Sequence, residues 1–119
     1  IYDDLVDLVG DEAHAGKTLG TDLAKGKFTL PVLLLLQRTD GAASQETREI
    51  LLGDSTAAGA ERLLEMMHAR GTVRQSKETA GRMIGEALDA LGNVPENDFQ
   101  RGLHDIAAYV GWLLRALPE

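Results

Sequence analysis

Residues 30–36 read LPVLLLL and form the longest apolar run in the chain. Thr29 before the run is a typical helix N-cap, Pro31 suits the first turn of a helix, and Gln37-Arg38 ends the apolar stretch. Leucine favours helix over strand, and no second segment of strand character is present for this run to pair with. We therefore predict a helix that is buried on all sides and lies in the middle of the packing.

The remaining long segments have the spacing of amphipathic helices. We predict a first helix that ends at Gly10 in a left-handed cap, helices over about 44–52, 57–70 and 73–91, and a last helix opened by Pro95. In the 57–70 helix, Met66 and Met67 are interpreted as core residues. The predicted inner face of the last helix comprises Phe99, Leu103, Ile106, Ala107, Val110, Leu113 and Leu114. The sequence therefore predicts an all-α fold, a helical bundle.

Composition limits the classes of function. The chain has 119 residues, 44% of them hydrophobic, which suffices for one modest domain. Its 19 acidic and 12 basic residues give a net charge of -7, which argues against nucleic-acid binding through the phosphate backbone. Cysteine is absent, so a reducing cytoplasm is the expected location. The longest apolar run is far shorter than the roughly 20 residues of a transmembrane helix, so no membrane segment is expected.

Three carboxylates, Asp3, Asp4 and Asp7, form a D-D-x-x-D arrangement at the start of the chain. On a helix they fall within roughly 100° of arc, opposite a face of apolar residues. Carboxylates combined with water and substrate phosphate are the ligands that Mg²⁺ prefers, so we expect Asp3 to bind the metal directly and Asp4 and Asp7 to act partly through water. The alternative interpretation is a solvated acidic helix face with no metal.

The segment 11–27 is a long connection rich in glycine and charge, which is typical of a functional loop. Lys17 and Lys27 on this loop could bind a diphosphate held by the metal, although a loop lysine is more often simply solvated. His14, His68 and His104 are too far apart in sequence for a metal site and are interpreted as surface residues. No Ser or Cys nucleophile is indicated.

Three motifs occur in an ordered series: IxDDxxD at 1–7, GKxxGTDL at 16–23 and GKxTLP at 26–31. This series resembles the second aspartate-rich region of the trans-isoprenyl (polyprenyl) diphosphate synthases, and the weaker similarity continues to Ala107-Ala108-Tyr109-Val110. The resemblance implies the isoprenoid synthase type of helical bundle. Lys25 departs from the family pattern, which usually has an acidic residue there, and is interpreted as solvated.

The resemblance also implies a reaction and a set of ligands. Members of the family condense an allylic diphosphate with isopentenyl diphosphate, and the second motif binds Mg²⁺ and the allylic diphosphate. The implied metal ligands are therefore Asp3, Asp4 and Asp7, and the implied diphosphate ligands are Lys17 and Lys27. No catalytic residue is expected beyond these metal and diphosphate ligands.

Other parts of the family pattern do not occur in these 119 residues. The first aspartate-rich motif, the basic residues for isopentenyl diphosphate and a Phe-Gln pair before the second motif are missing. We therefore expect residues 1–119 to be the C-terminal part of a single synthase domain whose upstream part is absent here. The full-length parent is expected to be a homodimer, and the 119-residue chain alone is expected to be inactive.

Two alternatives remain open. A terpene cyclase would share the fold and the Mg²⁺-diphosphate chemistry, but cyclases usually carry a different second metal motif. A non-catalytic helical subunit would keep the family sequence and act as an interaction module for an active chain. The Gly-Lys loop favours the synthase over the cyclase.

Overall fold

The computed structural model describes residues 1–10, 20–53 and 56–118, which form seven helices. They are α1 (Tyr2–Val9), α2 (Thr21–Ala24), α3 (Leu30–Arg38), α4 (Gly41–Leu52), α5 (Ala57–Ala69), α6 (Thr72–Leu91) and α7 (Asp98–Ala116). No strand occurs within these ranges, so the prediction of an all-α fold is confirmed. Among the described helices, none combines the length and the apolar character needed to cross a membrane.

Helix α6 is the element against which most of the others pack. Its contacts extend to α1, α3, α5 and α7. Val73, Ser76 and Ala80 line its buried side, and the Ser76 hydroxyl is satisfied by donating to the Thr72 carbonyl oxygen at 2.8 Å. The side chains packed around this helix form one core, whose fully buried members include Leu5, Val32, Leu35, Leu63 and Met67.

Helix α3 is buried on one side only. Pro31, Val32 and Leu35 are buried, whereas Leu33 is 49% exposed. The prediction that this helix is buried all round is therefore wrong for the described structure. The reason is that α4, α5 and α6 cover the side of α3 that carries Val32 and Leu35, so the leucine on the other side meets solvent.

Helix α5 agrees with its predicted pattern. Met66 is 7% exposed and Met67 is fully buried, which confirms that both fill the core. Leu63 is buried beside them, and the side chain of Thr56 caps the helix by accepting a hydrogen bond from the Gly59 amide at 3.1 Å. Burial of flexible methionine side chains lets the core adapt to the irregular surface of the neighbouring helices.

Gly10 ends α1 in a way that differs from the prediction. Its φ of -72° and ψ of -179° are extended rather than left-handed. The Gly10 amide donates to the Val6 carbonyl oxygen at 2.9 Å, and a Cβ at this position would lie 2.4 Å from the same oxygen. Glycine is required here because the backbone approaches the end of the helix too closely for a side chain.

Two helices begin at positions other than those predicted. Helix α4 begins at Gly41, three residues before Ser44. Helix α7 begins at Asp98 rather than at Pro95, because the Asn97 side chain accepts a hydrogen bond from the Gln100 amide at 2.9 Å and so caps the helix. The amide oxygen satisfies one of the amides that a helix N-terminus leaves without a partner.

The predicted inner face of α7 is buried only near its C-terminal end. Leu114 is 4% exposed, whereas Phe99 is 85% exposed, and Leu103 and Ile106 are also exposed. We call Phe99, Leu103 and Ile106 the outer apolar face of α7. The prediction is wrong for these residues because α7 packs extensively against α6 alone in the described part of the chain, and nothing there covers this end of the helix pair.

The two sides of α3 give a direct test of its burial. Leu35→Ala should lower the free energy of unfolding by about 2–5 kcal/mol, because it leaves a cavity in the core. Leu33→Ala, the same substitution on the same helix, should cost less than about 1 kcal/mol because Leu33 is half exposed. Urea denaturation of the two variants measures both values. Equal losses would contradict the one-sided burial of α3.

Candidate functional site

Asp7 is almost completely buried although it belongs to the acidic motif. Its side chain joins α1 to α2: Oδ1 accepts from the Thr21 hydroxyl at 3.0 Å, and Oδ2 accepts from the Asp22 amide at 2.9 Å. The carbonyl oxygen of Asp7 also accepts from the Gly20 amide at 2.8 Å. Asp7 is 4% exposed, and a buried carboxylate is costly unless such donors surround it. The two bonds to Oδ1 and Oδ2 satisfy that requirement, and the third satisfies the backbone carbonyl oxygen.

Gly20 makes the turn that brings these donors to Asp7. It is the N-cap of α2 and has a φ of 72°, in the left-handed region that glycine tolerates. Glycine has no side chain that could cap the helix, and the Asp7 carboxylate accepts from the Asp22 amide of α2 instead. The sequence Gly20-Thr21-Asp22 thus has a local structural reason: glycine for the turn, and a hydroxyl and an amide for the carboxylate.

Asp22 continues the network to a lysine. The Asp22 carboxylate accepts a hydrogen bond from Lys27 Nζ at 2.5 Å, and the Lys27 amide donates to the Asp22 carbonyl oxygen at 2.9 Å. This hydrogen bond, and then the charge of Asp22, raise the pKa of the Lys27 ammonium, with further contributions from Asp7 and Asp4. We call Asp7, Thr21, Asp22 and Lys27 the Asp7–Lys27 cluster.

Asp3 and Asp4 lie at the N-terminal end of α1, outside this network. Asp3 is exposed, and Asp4 is partly exposed with Oδ2 at 3.6 Å from the Ile1 amino group. Within the described ranges no three carboxylate or imidazole side chains converge closely enough to hold a metal ion by themselves. The acidic motif is therefore divided: two carboxylates lie toward solvent, and the third is used inside the protein.

The donor set of α1 fits Mg²⁺ in one specific sense. Asp3 and Asp4 offer hard anionic oxygens at the surface, and Mg²⁺ commonly takes one or two carboxylates and completes its shell with water and substrate phosphate. Asp7 is a poorer candidate for a direct ligand, because both of its oxygens already accept hydrogen bonds. The residues thus suit a metal that arrives with a phosphate ligand rather than a closed protein site.

The structure places the lysines and histidines of the sequence analysis differently. Lys27 is brought to the α1 carboxylates through Asp22, whereas Lys17 lies outside the described residues, as does His14. Lys25 is exposed, as expected for a solvated residue. The remaining histidines, His68 and His104, are exposed on separate helices.

Sequence reasoning assigned no role to Thr21 or Asp22, although both belong to the site. Thr21 helps to satisfy Asp7, and Asp22 holds the lysine. The signal was present in the sequence, because a Gly-Thr-Asp turn at the start of a helix offers a hydroxyl and an amide to a nearby carboxylate. What the sequence could not indicate was that Asp7, 15 positions away, would be that carboxylate.

Comparison with known proteins identifies the relatives of this chain. The profile of the family described as "Polyprenyl synthetase" matches residues 1–69. Solanesyl diphosphate synthase 1, chloroplastic, of Arabidopsis thaliana is 31% identical over 92% of this chain and 26% of its own length. Heptaprenyl diphosphate synthase component 2 of Geobacillus stearothermophilus is 30% identical over 93% of the chain and 34% of its own length.

A third relative has a similar identity and covers a similar share of the chain. Octaprenyl diphosphate synthase of Escherichia coli is 29% identical over 90% of this chain and 33% of its own length. The chain thus spans between a quarter and about a third of the length of these three relatives. No solved structure matches it significantly.

The ion pair in the Asp7–Lys27 cluster predicts a measurable titration. Asp22→Asn should lower the pKa of Lys27 toward its usual 10.5, because the substitution weakens the hydrogen bond to the ammonium group and removes the charge that favours it. Since the folded pKa is the raised one, the ion pair stabilises the protein at neutral pH and is lost as the pH rises through that value. NMR of the lysine side chain measures it.

The matched control is Glu46→Gln, which neutralises a carboxylate paired with Arg62 on other helices. It should leave the titration of Lys27 unchanged. A Lys27 pKa that does not respond to Asp22→Asn would contradict the contact.

Proposed function

The chain belongs to the polyprenyl synthetase family, and we propose that it is the C-terminal part of a prenyl diphosphate synthase in which it binds the allylic diphosphate. The observation that carries this proposal is the Asp7–Lys27 cluster, which holds an ammonium group beside the carboxylates of α1. Positioned cations bind the negative charge of a phosphate-bearing substrate. Carboxylates repel that charge, so they contribute to binding only when a metal ion bridges them to the phosphate.

The proposed reaction joins an allylic diphosphate to isopentenyl diphosphate. The allylic carbon–oxygen bond breaks, the electron pair leaves with the diphosphate, and the double bond of isopentenyl diphosphate attacks the resulting cation. Loss of a proton then gives the longer allylic product. Negative charge increases on the leaving diphosphate as the bond breaks, so groups that stabilise this charge in the transition state accelerate the step.

In this proposal Asp3 and Asp4 hold Mg²⁺, which when bound supplies positive charge to the diphosphate. Lys27, and Lys17 on the same connection, donate N–H groups to the diphosphate oxygens. Lys27 is suited to this role because the Asp22 carboxylate holds its ammonium group in place. Its side chain is 57% exposed, which leaves the ammonium accessible to a ligand.

Asp7 and Asp22 act as positioning residues in the same proposal. Asp7 fixes the start of α2 through two hydrogen bonds, and Asp22, in the first turn of α2, holds Lys27. A lysine has many rotamers, and ordering it before the substrate arrives reduces the entropy lost on binding. The third aspartate of the motif thus contributes to diphosphate binding through the lysine, whether or not it also acts through a bound water.

We further propose that residues 1–119 are part of one larger synthase domain. Support comes from the outer apolar face of α7, whose three side chains are exposed, and from the share of the relatives' length that the chain covers. The remainder of the domain is the proposed occupant of this face and the source of the isopentenyl diphosphate site. On this proposal the 119-residue chain by itself forms no prenyl product.

A second candidate is that the parent acts as one component of an enzyme made from different chains. The name of the Geobacillus relative, component 2 of a heptaprenyl diphosphate synthase, favours it. In the first candidate the parent assembles as a homodimer and forms product alone. Product that appears only after a second type of chain is added would favour the second candidate.

Two aspartates of the motif should fail in different ways in the parent enzyme. Asp3→Asn should lower kcat at least about 100-fold with little change in Tm, because an exposed metal ligand is lost. Asp7→Asn should lower Tm by at least about 2 °C, because one of the two carboxylate oxygens that accept from Thr21 and Asp22 becomes an NH₂ group, which cannot accept. Steady-state kinetics and thermal melts separate the two.

The blank for these assays is the 119-residue chain alone, incubated with both diphosphates and Mg²⁺. An unchanged kcat in Asp3→Asn would refute the metal role, and an unchanged Tm in Asp7→Asn would refute the positioning role.

The two lysines that flank Gly26 provide a matched pair. Lys27→Ala in the parent should raise KM for the allylic diphosphate and lower kcat, each roughly 10-fold or more, because the ammonium attracts the diphosphate more strongly as charge develops. Lys25→Ala, two residues away and also exposed, should stay within about 2-fold of the unaltered enzyme. If both substitutions had the same effect, a general positive charge on the loop would explain the data better than a positioned lysine.

A further inference from the structure

Two arginines of the turn between α5 and α6 lie close to a third arginine at the end of α3. Arg38 ends α3, Arg70 follows α5, and Arg74 lies in the first turn of α6. A Cβ on Gly71, the residue at the centre of the turn, would lie 3.4 Å from Arg74 Nη2 and 3.8 Å from Arg38 Nη1. Two guanidinium groups therefore face the same point above a glycine that leaves the space open.

The side chains of Arg38 and Arg70 are each held by the backbone carbonyl oxygen of the other residue. Arg38 Nη1 donates to the Arg70 carbonyl oxygen, and Arg70 Nη1 donates to the Arg38 carbonyl oxygen at 2.7 Å. Arg38 Nη2 donates to the Gln75 side chain. A guanidinium has five N–H groups, so these bonds fix the two side chains and leave further donors for another partner.

The positive charge of this cluster is not balanced by nearby carboxylates. Arg74 has one acidic partner, Glu78, at 3.9 Å, and both side chains are 69% exposed, so the pair is weak. Across residues 1–10, 20–53 and 56–118, no carboxylate lies within ion-pair distance of Arg38 or Arg70. This local excess of positive charge contrasts with the net charge of -7 for the chain.

A surface cavity lies at this turn, and two of the three arginines, Arg70 and Arg74, line it. Its volume is about 450 Å³, and it is lined by His68, Ala69, Arg70, Gly71, Val73 and Arg74. The first turn of α6 contributes to this lining and contains neither an acidic residue nor a side-chain cap. The cavity therefore combines two arginine side chains, of which Arg70 is held by a hydrogen bond to the Arg38 carbonyl oxygen, with room for a small anion.

We propose that this cavity binds a small phosphate anion, inorganic phosphate or diphosphate, at a site separate from the Asp7–Lys27 cluster. Arginine is suited to the ligand because its planar N–H groups match the oxygens of a phosphate. Lys27 precedes the N-terminal end of α3, whereas Arg38 is at its C-terminal end, about 12 Å further along the helix axis. The cavity requires no metal, because its positive charge comes from the arginines.

The experiment titrates the ¹⁵N-labelled 119-residue chain with inorganic phosphate and, in a second arm, with diphosphate. Both arms contain EDTA to prevent metal-dependent binding at α1, and sodium chloride keeps the ionic strength constant. Chemical shifts of the amides from Gly71 to Gln75 should change in a saturable way in at least one arm. Arg74→Gln should weaken the affinity at least 5-fold, and the ion pair that it removes among the described residues is the exposed pair with Glu78.

The matched control is Arg82→Gln, on the same helix, since Arg82 is also paired with an acid four residues later, at 3.0 Å, and lies outside the cavity. It should leave the affinity unchanged. Asp3→Asn should also leave it unchanged, which separates this site from the proposed substrate site. Shifts that do not saturate, or that respond equally to Arg74→Gln and Arg82→Gln, would overturn the proposal and indicate only general screening of charge.

Discussion

The buried carboxylate of Asp7 is the contact on which the geometry of the site depends. A charge that is 4% exposed must be surrounded by donors, and here the donors come from the turn that begins α2. Once α2 is fixed by Asp7, the position of Asp22 follows, and with it the position of the Lys27 ammonium. The buried Asp7 carboxylate therefore fixes the part of the chain around α2 that positions the Lys27 ammonium group.

Most of the fold could be predicted from the sequence because apolar spacing and helix signals are local properties. Such patterns predicted the all-α class and the helices α3 to α7. They also predicted that Met66 and Met67 lie in the core. The burial of α3 on one side only and the exposure of Phe99 depend on which elements lie opposite, and the spacing of residues within one helix does not contain that information. Helix α7 was therefore assigned a longer inner face than its neighbours can cover.

The site shows the same division between local and long-range information. The types of residue in the site were visible in the motifs, and Lys27 was predicted to act together with the acidic residues of α1. The division of labour within the acidic motif was not visible, because Asp3, Asp4 and Asp7 are chemically identical and differ only in what surrounds them. Asp7 faces α2, whereas Asp3 is exposed. Only the packing of one helix against another distinguishes a possible metal ligand from a carboxylate used inside the protein.

The uneven covering of α7 has a consequence for motion along a single helix. Near Leu114 the helix is held by packing against α6 and the core, whereas around Phe99 the exposed side chains contribute little beyond the hydrogen bonds of the helix itself. Opening of the first turns costs less free energy than opening of the last ones, so amide hydrogens should exchange with solvent progressively more slowly from the N-terminal to the C-terminal end. One continuous helix would then contain a gradient of local stability, with its least stable part at the apolar residues that no described helix covers.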